Sequence, residues 1–557
     1  MDDFTHLTPE KLDKMNKKAL IAIICSLQSQ LNTISSQLNF LTEQITLMNQ
    51  RSFGRKTEKA DQLGYHQMNI NEAFNDTLND VFNEAECASD DSSEPEVTEI
   101  IVPAHTRRKK TKREETLDGL PIRIFEHKLN EDELAEKFPN GYKELPVESY
   151  KRLSVIPRTF LVDEHRIHVY ASKDNDGTIV RADRPADVFR NSIATPSLVS
   201  LVAVSKYMNH VPLERQSKAF KDSGINLEPN TLANWMINIS DSQLSLIYDE
   251  LHNYLYDSRV VHADETPFKV IMKDDPEDGN TNYMWVYRNG VCDSKYPVVI
   301  YDYQKTRKAD HPAEFLKDYK GVLVTDGYQV YHSLGKKRID LKIAGCWVHA
   351  KRKFAEIVKA VGTKGAKSAV AVKASEKISE LFHMDSQWDN LSKVEREKHR
   401  KDELKPKVEA FFEWAKAALP TLPKESATYS GLNYCINQEQ YLTLFLSDGN
   451  IPMDNNRAEQ AIRPFTLGRK NWVNMYSPKG AHASAVIYSL VETAKANNLR
   501  AFDYFEYLIT EISKHLQEEQ KYKRKDDNFI PDRSYLKDLL PWSKNIQKNF
   551  RRQEKKS

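Results

Sequence analysis

The chain has 557 residues, 40% of them hydrophobic, with 81 Lys and Arg against 80 Asp and Glu and a net charge of +1. That length is too great for one ordinary core and predicts roughly three to five units; so even a charge balance excludes reading a partner from the total. Five scattered cysteines (Cys25, Cys87, Cys292, Cys346, Cys435) form no CxxC pair, which argues against a disulfide scaffold or a Cys-rich zinc site, and with no long apolar run or signal peptide the expected location is cytoplasmic.

In chain order, the first predicted element is a long helix. Leu20, Ile24, Leu27, Leu31, Ile34, Leu38, Leu41, Ile45 and Met48 alternate steps of four and three. This a/d seam predicts a coiled coil and hence self-association, within residues 1–55. Residues 56–118 read as a flexible linker. It is acidic first, with ten Asp/Glu and no Lys/Arg over 71–100, then basic at RRKKTKR, where Arg107, Arg108, Lys109 and Lys110 are expected to meet DNA. Residues 119–194 read as a small β-rich module.

Residues 195–248 turn helical. VPLERQSKAFKDSGINLEPNTLANWM predicts a helix from about Leu213 to Phe220, a turn at Gly224 and a second helix after Pro229. That is the pattern of a helix-turn-helix, whose second helix enters the major groove in a DNA reader; two core helices joined by a glycine turn give the same pattern.

From 249 to 356 the expected order is β-β-β-α-β-α-β-α, beginning with SRVVHADETPFKVI, NYMWVYRNG and YPVVIYDY. Residues 357–430 read as helices alone, 431–512 return to the first block, and 513–557 read as a basic tail. In the first strand, alternation puts Val260, His262 and Asp264 on one face and Ala263 and Glu265 on the other. A carboxylate in an apolar strand is costly unless paired or bound to a metal. Asp326 ends the strand GVLVTD, at the carboxyl edge where sites gather in such sheets. Glu459 lies in a helix expected to start after Asp454 as N-cap. On a plain surface helix Glu459 and Arg463 would simply pair at i,i+4. Brought to one sheet edge, the three carboxylates form an oxygen-only donor set suited to Mg²⁺ or Mn²⁺. Two such ions serve phosphodiester chemistry.

HADETP, TDGYQVY, GCWVHAKRKF and DNNRAEQAIRPFTLGRKNW closely resemble motifs of the insertion-sequence-66 family of bacterial DDE transposases, as do SFGRKTEK and SLVETAKANNL. The resemblance covers nearly the whole chain. It implies a multidomain α/β protein with an N-terminal coiled coil, a helix-turn-helix region and a ribonuclease-H-like catalytic domain carrying an all-helical insertion. Carried over residue by residue, the catalytic and metal-binding triad is Asp264, Asp326 and Glu459, with two Mg²⁺ or Mn²⁺ ions per site. Arg457, Arg463, Arg469 and Lys470 would hold DNA phosphates, His349, Lys351 and Arg352 would line the same groove, and Asn455 and Asn456 would orient the helix start or touch DNA. The partners implied are the element's terminal inverted repeats, target DNA, a second copy of the chain and small accessory proteins encoded beside it, with no membrane; the setting is bacterial and nucleoid-associated. Family members usually carry a Cys-based zinc segment before the helix-turn-helix, but residues 119–192 contain no cysteine, so no structural zinc is expected. Cys346 and His349 have CxxH spacing but lack two further ligands. Two other classes stay open: a non-catalytic DNA-binding relative, and a ribonuclease-H-like nuclease that cuts without joining.

Overall fold

The structure is a computed structural model that describes residues 17–18, 20–21, 23–28, 30, 160–171, 179–181, 184–271, 281–290, 295–365, 369–526 and 529–552. The chain divides into two units, one of residues 1–68 with 185–557 and the other of residues 69–184. Most of the predicted heptad seam, the linker and the basic run Arg107, Arg108, Lys109 and Lys110 lie outside the described residues. In the smaller unit, β1 (Val169–Ala171) and β2 (Ile179–Arg181) form an antiparallel pair.

From residue 185 on, the larger unit begins with the α-helices α1 (Pro196–Tyr207), α2 (Leu213–Asp222), α3 (Pro229–Ile239) and α4 (Ser245–Tyr256). Their starts are written locally. Thr195 caps α1, its hydroxyl accepting the Leu198 N–H at 3.3 Å, and Pro196 and Pro229 occupy first-turn positions where no N–H is needed. Gly224 makes the turn between α2 and α3 at a φ of 81°, which favours glycine.

The sheet follows. Its strands are β3 (Val260–Val270), β4 (Thr281–Asn289), β5 (Val299–Gln304), β6 (Gly321–Thr325) and β7 (Leu341–Gly345), in the spatial order β5-β4-β3-β6-β7. β3, β4 and β5 are antiparallel neighbours, while β3, β6 and β7 run parallel. Two short helices make the crossovers, α5 (Asp310–Phe315) and α6 (Gln329–Lys337). A short β8 (Asn474–Met475) pairs with the far end of β3.

β7 feeds a helical body: α7 (Trp347–Gly365), α8 (Val370–Ser386), α9 (Lys393–His399), α10 (Lys405–Ala418), α11 (Ala427–Asn437) and α12 (Glu439–Leu442). Helix thus begins at Trp347, two residues after β7 ends at Gly345 and about ten residues before the helical stretch expected from 357. The fully buried Trp347 ring ties α7 to α12, its Nε1 donating to the Leu442 carbonyl at 2.8 Å.

The chain returns as α13 (Asn456–Trp472), α14 (Pro478–Ala496), α15 (Ala501–Lys523) and α16 (Lys544–Phe550). α14 closes the β5 edge. Ser489 Oγ accepts the Tyr301 N–H at 2.8 Å and Thr493 Oγ1 accepts the Val299 N–H at 3.0 Å, so hydroxyls satisfy an edge that would otherwise stay open. The expected basic tail needs correction: α15 runs through 513, and Leu536, Leu539, Leu540 and Ile546 are buried in the core that also takes in α1–α4 and the sheet. Those leucines and isoleucine gain more from burial than the surrounding charge loses, since the lysines and arginines stay on the outside.

Candidate active site

Three elements bring the predicted carboxylates to one edge. The last paired positions of β3 and β6 are His262 and Val324. Two residues further on each strand come Asp264 and Asp326, so the parallel register carries both to the carboxyl edge on the same face. There the strands part, because β3 continues against β4 while the chain turns at Gly327, φ 95°. Asp326 closes that turn, its Oδ1 accepting the Tyr328 N–H at 2.9 Å, and its carbonyl accepts the Tyr434 hydroxyl at 2.8 Å.

Glu459 sits in the first turn of α13, and the start of that helix is tied to β3. Asn455, fully buried, donates from Nδ2 to the Ala263 carbonyl at 2.8 Å and shares its Oδ1 with His262 Nδ1 at 3.0 Å. Its N–H points to Cys346 Sγ at 3.2 Å. Burial lowers the His262 pKa to about 3, so the ring is neutral and Nδ1 donates. Two expectations change here. Asn455, not Asp454, is the N-cap position, and Asp454 instead accepts the Asn456 N–H at 3.0 Å in a tight turn. Asn455 is also sealed from any DNA surface, which leaves it the orienting role alone.

Glu459 does not stand among arginines of its own helix only. Its carboxylate accepts from Arg352 Nη2 at 3.0 Å and lies 3.6 Å from His349 Nδ1. Thus α7 and α13 meet at Glu459. Arg352 also reaches His349 Nε2 at 3.2 Å, and burial lowers the pKa of both His349 and Lys351. Arg457, Arg463 and Asn456 are partly exposed and Lys470 is exposed. Arg469 is used internally: its Nη1 bonds Thr266 Oγ1 at 3.0 Å and the Pro267 carbonyl, clamping the last turn of α13 to β3. That engages a guanidinium that sequence reading had assigned to phosphates.

Asp264 is poorly solvated. Burial pushes its pKa well up, and the carboxylates of Glu265, Asp326 and Glu459 add to the shift; the Glu265 N–H, 2.8 Å from Oδ1, opposes it. A largely buried carboxylate with carboxylate neighbours is the donor chemistry of a hard cation. Among the described residues, however, no three His, Cys, Asp or Glu side chains are gathered closely enough to hold a metal ion as they stand. Glu459 is turned to Arg352 instead.

Sequence reading missed Glu265, Arg307 and Tyr331. Tyr331 donates to Glu265 Oε2 at 2.8 Å and Arg307 Nε donates to Oε1 at 2.9 Å. The only signal was the adjacency of Glu265 to Asp264.

The model of the family described as "Transposase IS66 family" matches residues 191–483. The chain belongs to the IS66 transposase family. A second model, "Transposase C of IS166 homeodomain", matches residues 40–124. Among curated proteins, the chain is 29% identical over 394 residues to the uncharacterized protein y4qI of Sinorhizobium fredii strain NBRC 101917 / NGR234, covering 69% of this chain and 71% of that one. The uncharacterized protein y4hP of the same organism is 28% identical over 379 residues, covering 65% and 67%. Membership implies transposase activity and DNA binding in general, in a class that uses divalent metal ions. No described helix is long and apolar enough to cross a membrane.

Proposed function

We propose that this IS66 family transposase binds the terminal inverted repeats of its element and uses Asp264, Asp326 and Glu459 for metal-dependent phosphodiester hydrolysis and strand transfer. The observation that carries this reading is the register of β3 and β6, which sets Asp264 and Asp326 side by side while Asn455 ties the Glu459 helix to the same strand. The order β5-β4-β3-β6-β7, three antiparallel strands followed by parallel ones, supports a ribonuclease-H-like domain with α7–α12 as its insertion.

Two Mg²⁺ or Mn²⁺ ions, when bound, supply the positive charge that activates the attacking oxygen and stabilises the leaving one. Asp264 and Asp326 would hold those ions at the sheet edge. Glu459 would join them by giving up Arg352, which would then meet a DNA phosphate alongside Arg457, Arg463 and Lys470. His349, Lys351 and Asn456 line the same groove. Attack by water leaves a 3′-hydroxyl and a 5′-phosphate; that 3′-hydroxyl then attacks a target phosphodiester in the same site, becoming joined to the target's 5′ end and releasing the target's own 3′-hydroxyl. α2 and α3 read the repeats, the basic run at 107–110 adds phosphate contacts, the N-terminal seam joins protomers, and accessory proteins of the element assist assembly on nucleoid DNA in the cytoplasm.

The test is cleavage of duplex DNA from the flanks of this gene with Mg²⁺ or Mn²⁺. Cuts that leave 3′-hydroxyls, reduced about a hundredfold or more by Asp326→Asn, are expected. Equal cutting by both proteins would assign the chemistry elsewhere, and binding without cutting would favour the non-catalytic relative.

A further inference from the structure

Arg307 lies in the turn between β5 and α5, a stretch that reads as an ordinary polar connection. Its guanidinium is nonetheless held firmly. Nε and Nη2 both donate to Glu265 Oε1, the first at 2.9 Å. The other oxygen of that carboxylate accepts the Tyr331 hydroxyl at 2.8 Å. The guanidinium carbon lies over the Tyr328 ring, 3.8 Å from its centre, and the Tyr328 hydroxyl returns to the Arg307 carbonyl at 3.1 Å.

The two halves of this ion pair have opposite exposures. The Glu265 side chain is 1% exposed and the Arg307 side chain 42%. Burying a carboxylate is costly, and an ordinary surface pair returns little of that cost because it must also immobilise two long side chains. Here the cost fixes a planar guanidinium whose Nη1 takes part in none of these bonds. A fork ordered in advance loses little further entropy when it meets an anion.

Its place gives that anion an identity. Tyr328, the ring beneath the guanidinium, is the residue whose N–H holds Asp326 Oδ1, and the Asp326 carboxylate is close enough to act electrostatically on Arg307. A DNA phosphate approaching this edge meets Asp264, Glu265, Asp326 and Glu459, all repulsive when ionised. Arg307, like Arg352 on Glu459, is a cation already anchored among them, with a planar N–H fork of the kind that matches phosphate oxygens.

We propose that Arg307 binds a non-bridging oxygen of the phosphate to be cut, with Glu265, Tyr328 and Tyr331 as positioning residues that hold it ready. The assignment rests on the phosphodiester reading above. It concerns substrate binding, so binding tests it apart from turnover.

The experiment uses the full chain and the flank duplex, with the phosphate at the cut bond either natural or replaced by an uncharged methylphosphonate. Affinity is measured with Ca²⁺ as the cation, for unaltered protein, for Arg307→Lys and for Arg307→Gln combined with Glu265→Gln. The double change avoids leaving a buried carboxylate unpaired, and thermal melting checks that it folds. Neutralising the phosphate should weaken the unaltered protein about tenfold or more, and the double variant less than about twofold. Arg307→Lys, which keeps the charge without the fork, should fall between. Equal losses in all three proteins would overturn the role of Arg307 while leaving the triad standing. Failure of unaltered protein to cut the duplex at all would remove the triad reading, and this assignment with it.

Discussion

Asn455 does at the level of one side chain what the triad depends on: it fixes where a helix begins. Its amide joins His262, the Ala263 carbonyl and, through the main chain, Cys346. Replacing it with Ala strands a buried carbonyl and a buried imidazole N–H, so Asn455→Ala should cost about 2–4 kcal/mol in urea unfolding, and cleavage should fall further than DNA affinity. A loss under about 0.5 kcal/mol would mean the helix start is set elsewhere. Asp302 on β5 offers a pH test. Burial raises its pKa to about 7, whereas the unfolded value is about 4. Between those values the folded state holds a proton that the unfolded state has lost, so stability falls as pH rises from about 4 to 7. Asp302→Asn should therefore stabilise the protein by about 1–3 kcal/mol at pH 8 and by little at pH 4, read as the difference between thermal melts at the two pH values. At this scale the sequence made Asp264 and Asp326 readable, because strand alternation and a strand end are local facts. The Arg352–Glu459 pair was not readable, since it joins residues 107 apart through a helix packing that no local pattern encodes. Arg307 was hidden for the same reason: a single arginine in a polar turn carries no mark of the buried carboxylate it faces.

Within the helical body a buried cation ties α8 to the segment that precedes α13. Arg400 is fully buried; its Nε and Nη2 bond Asp385 at 2.6 and 2.8 Å, and its Nη1 bonds the carbonyls of Phe445, Asp448 and Ile451. It thereby connects α8 to the segment that leads directly into α13 and Glu459. Burial alone would disfavour the ionised Asp385, but Arg400 and Arg396 outweigh it and hold its pKa below the usual carboxylate range. Arg400→Met should cost about 3–5 kcal/mol because Asp385 loses its main partner. Adding Asp385→Asn should recover part of that loss in the same unfolding experiment, and no recovery would show that the carbonyl contacts alone carry the effect. The order of elements from 258 to 355 was legible because period-two and helical patterns alternate cleanly there. Element ends were less so: within GCWVHA the strand stops at Gly345 and α7 takes over at the fully buried Trp347.

At the scale of the whole molecule, the larger unit is more continuous than composition suggests. Charge runs and texture changes divided the chain into many segments, yet α1–α4, the sheet, α13–α15 and residues 536–546 share one core. A basic composition concealed four buried apolar side chains near the C-terminus, and charge is a poor guide when lysines and arginines merely coat a packed turn. This continuity puts α2 and α3, the pair proposed to read DNA, in the same core as the carboxylate edge, the arrangement by which binding at an end would be coupled to chemistry at the cut. The most direct measurement is a joining assay with full-length protein, an end-labelled flank duplex, a target plasmid and Mg²⁺. The account predicts labelled strands joined to the plasmid through their 3′-hydroxyls, a product lost with Asp264→Asn, with Asp326→Asn and with Glu459→Gln alike. Joining that survives any one of the three substitutions, or cutting by the unaltered protein that never proceeds to joining, would contradict it.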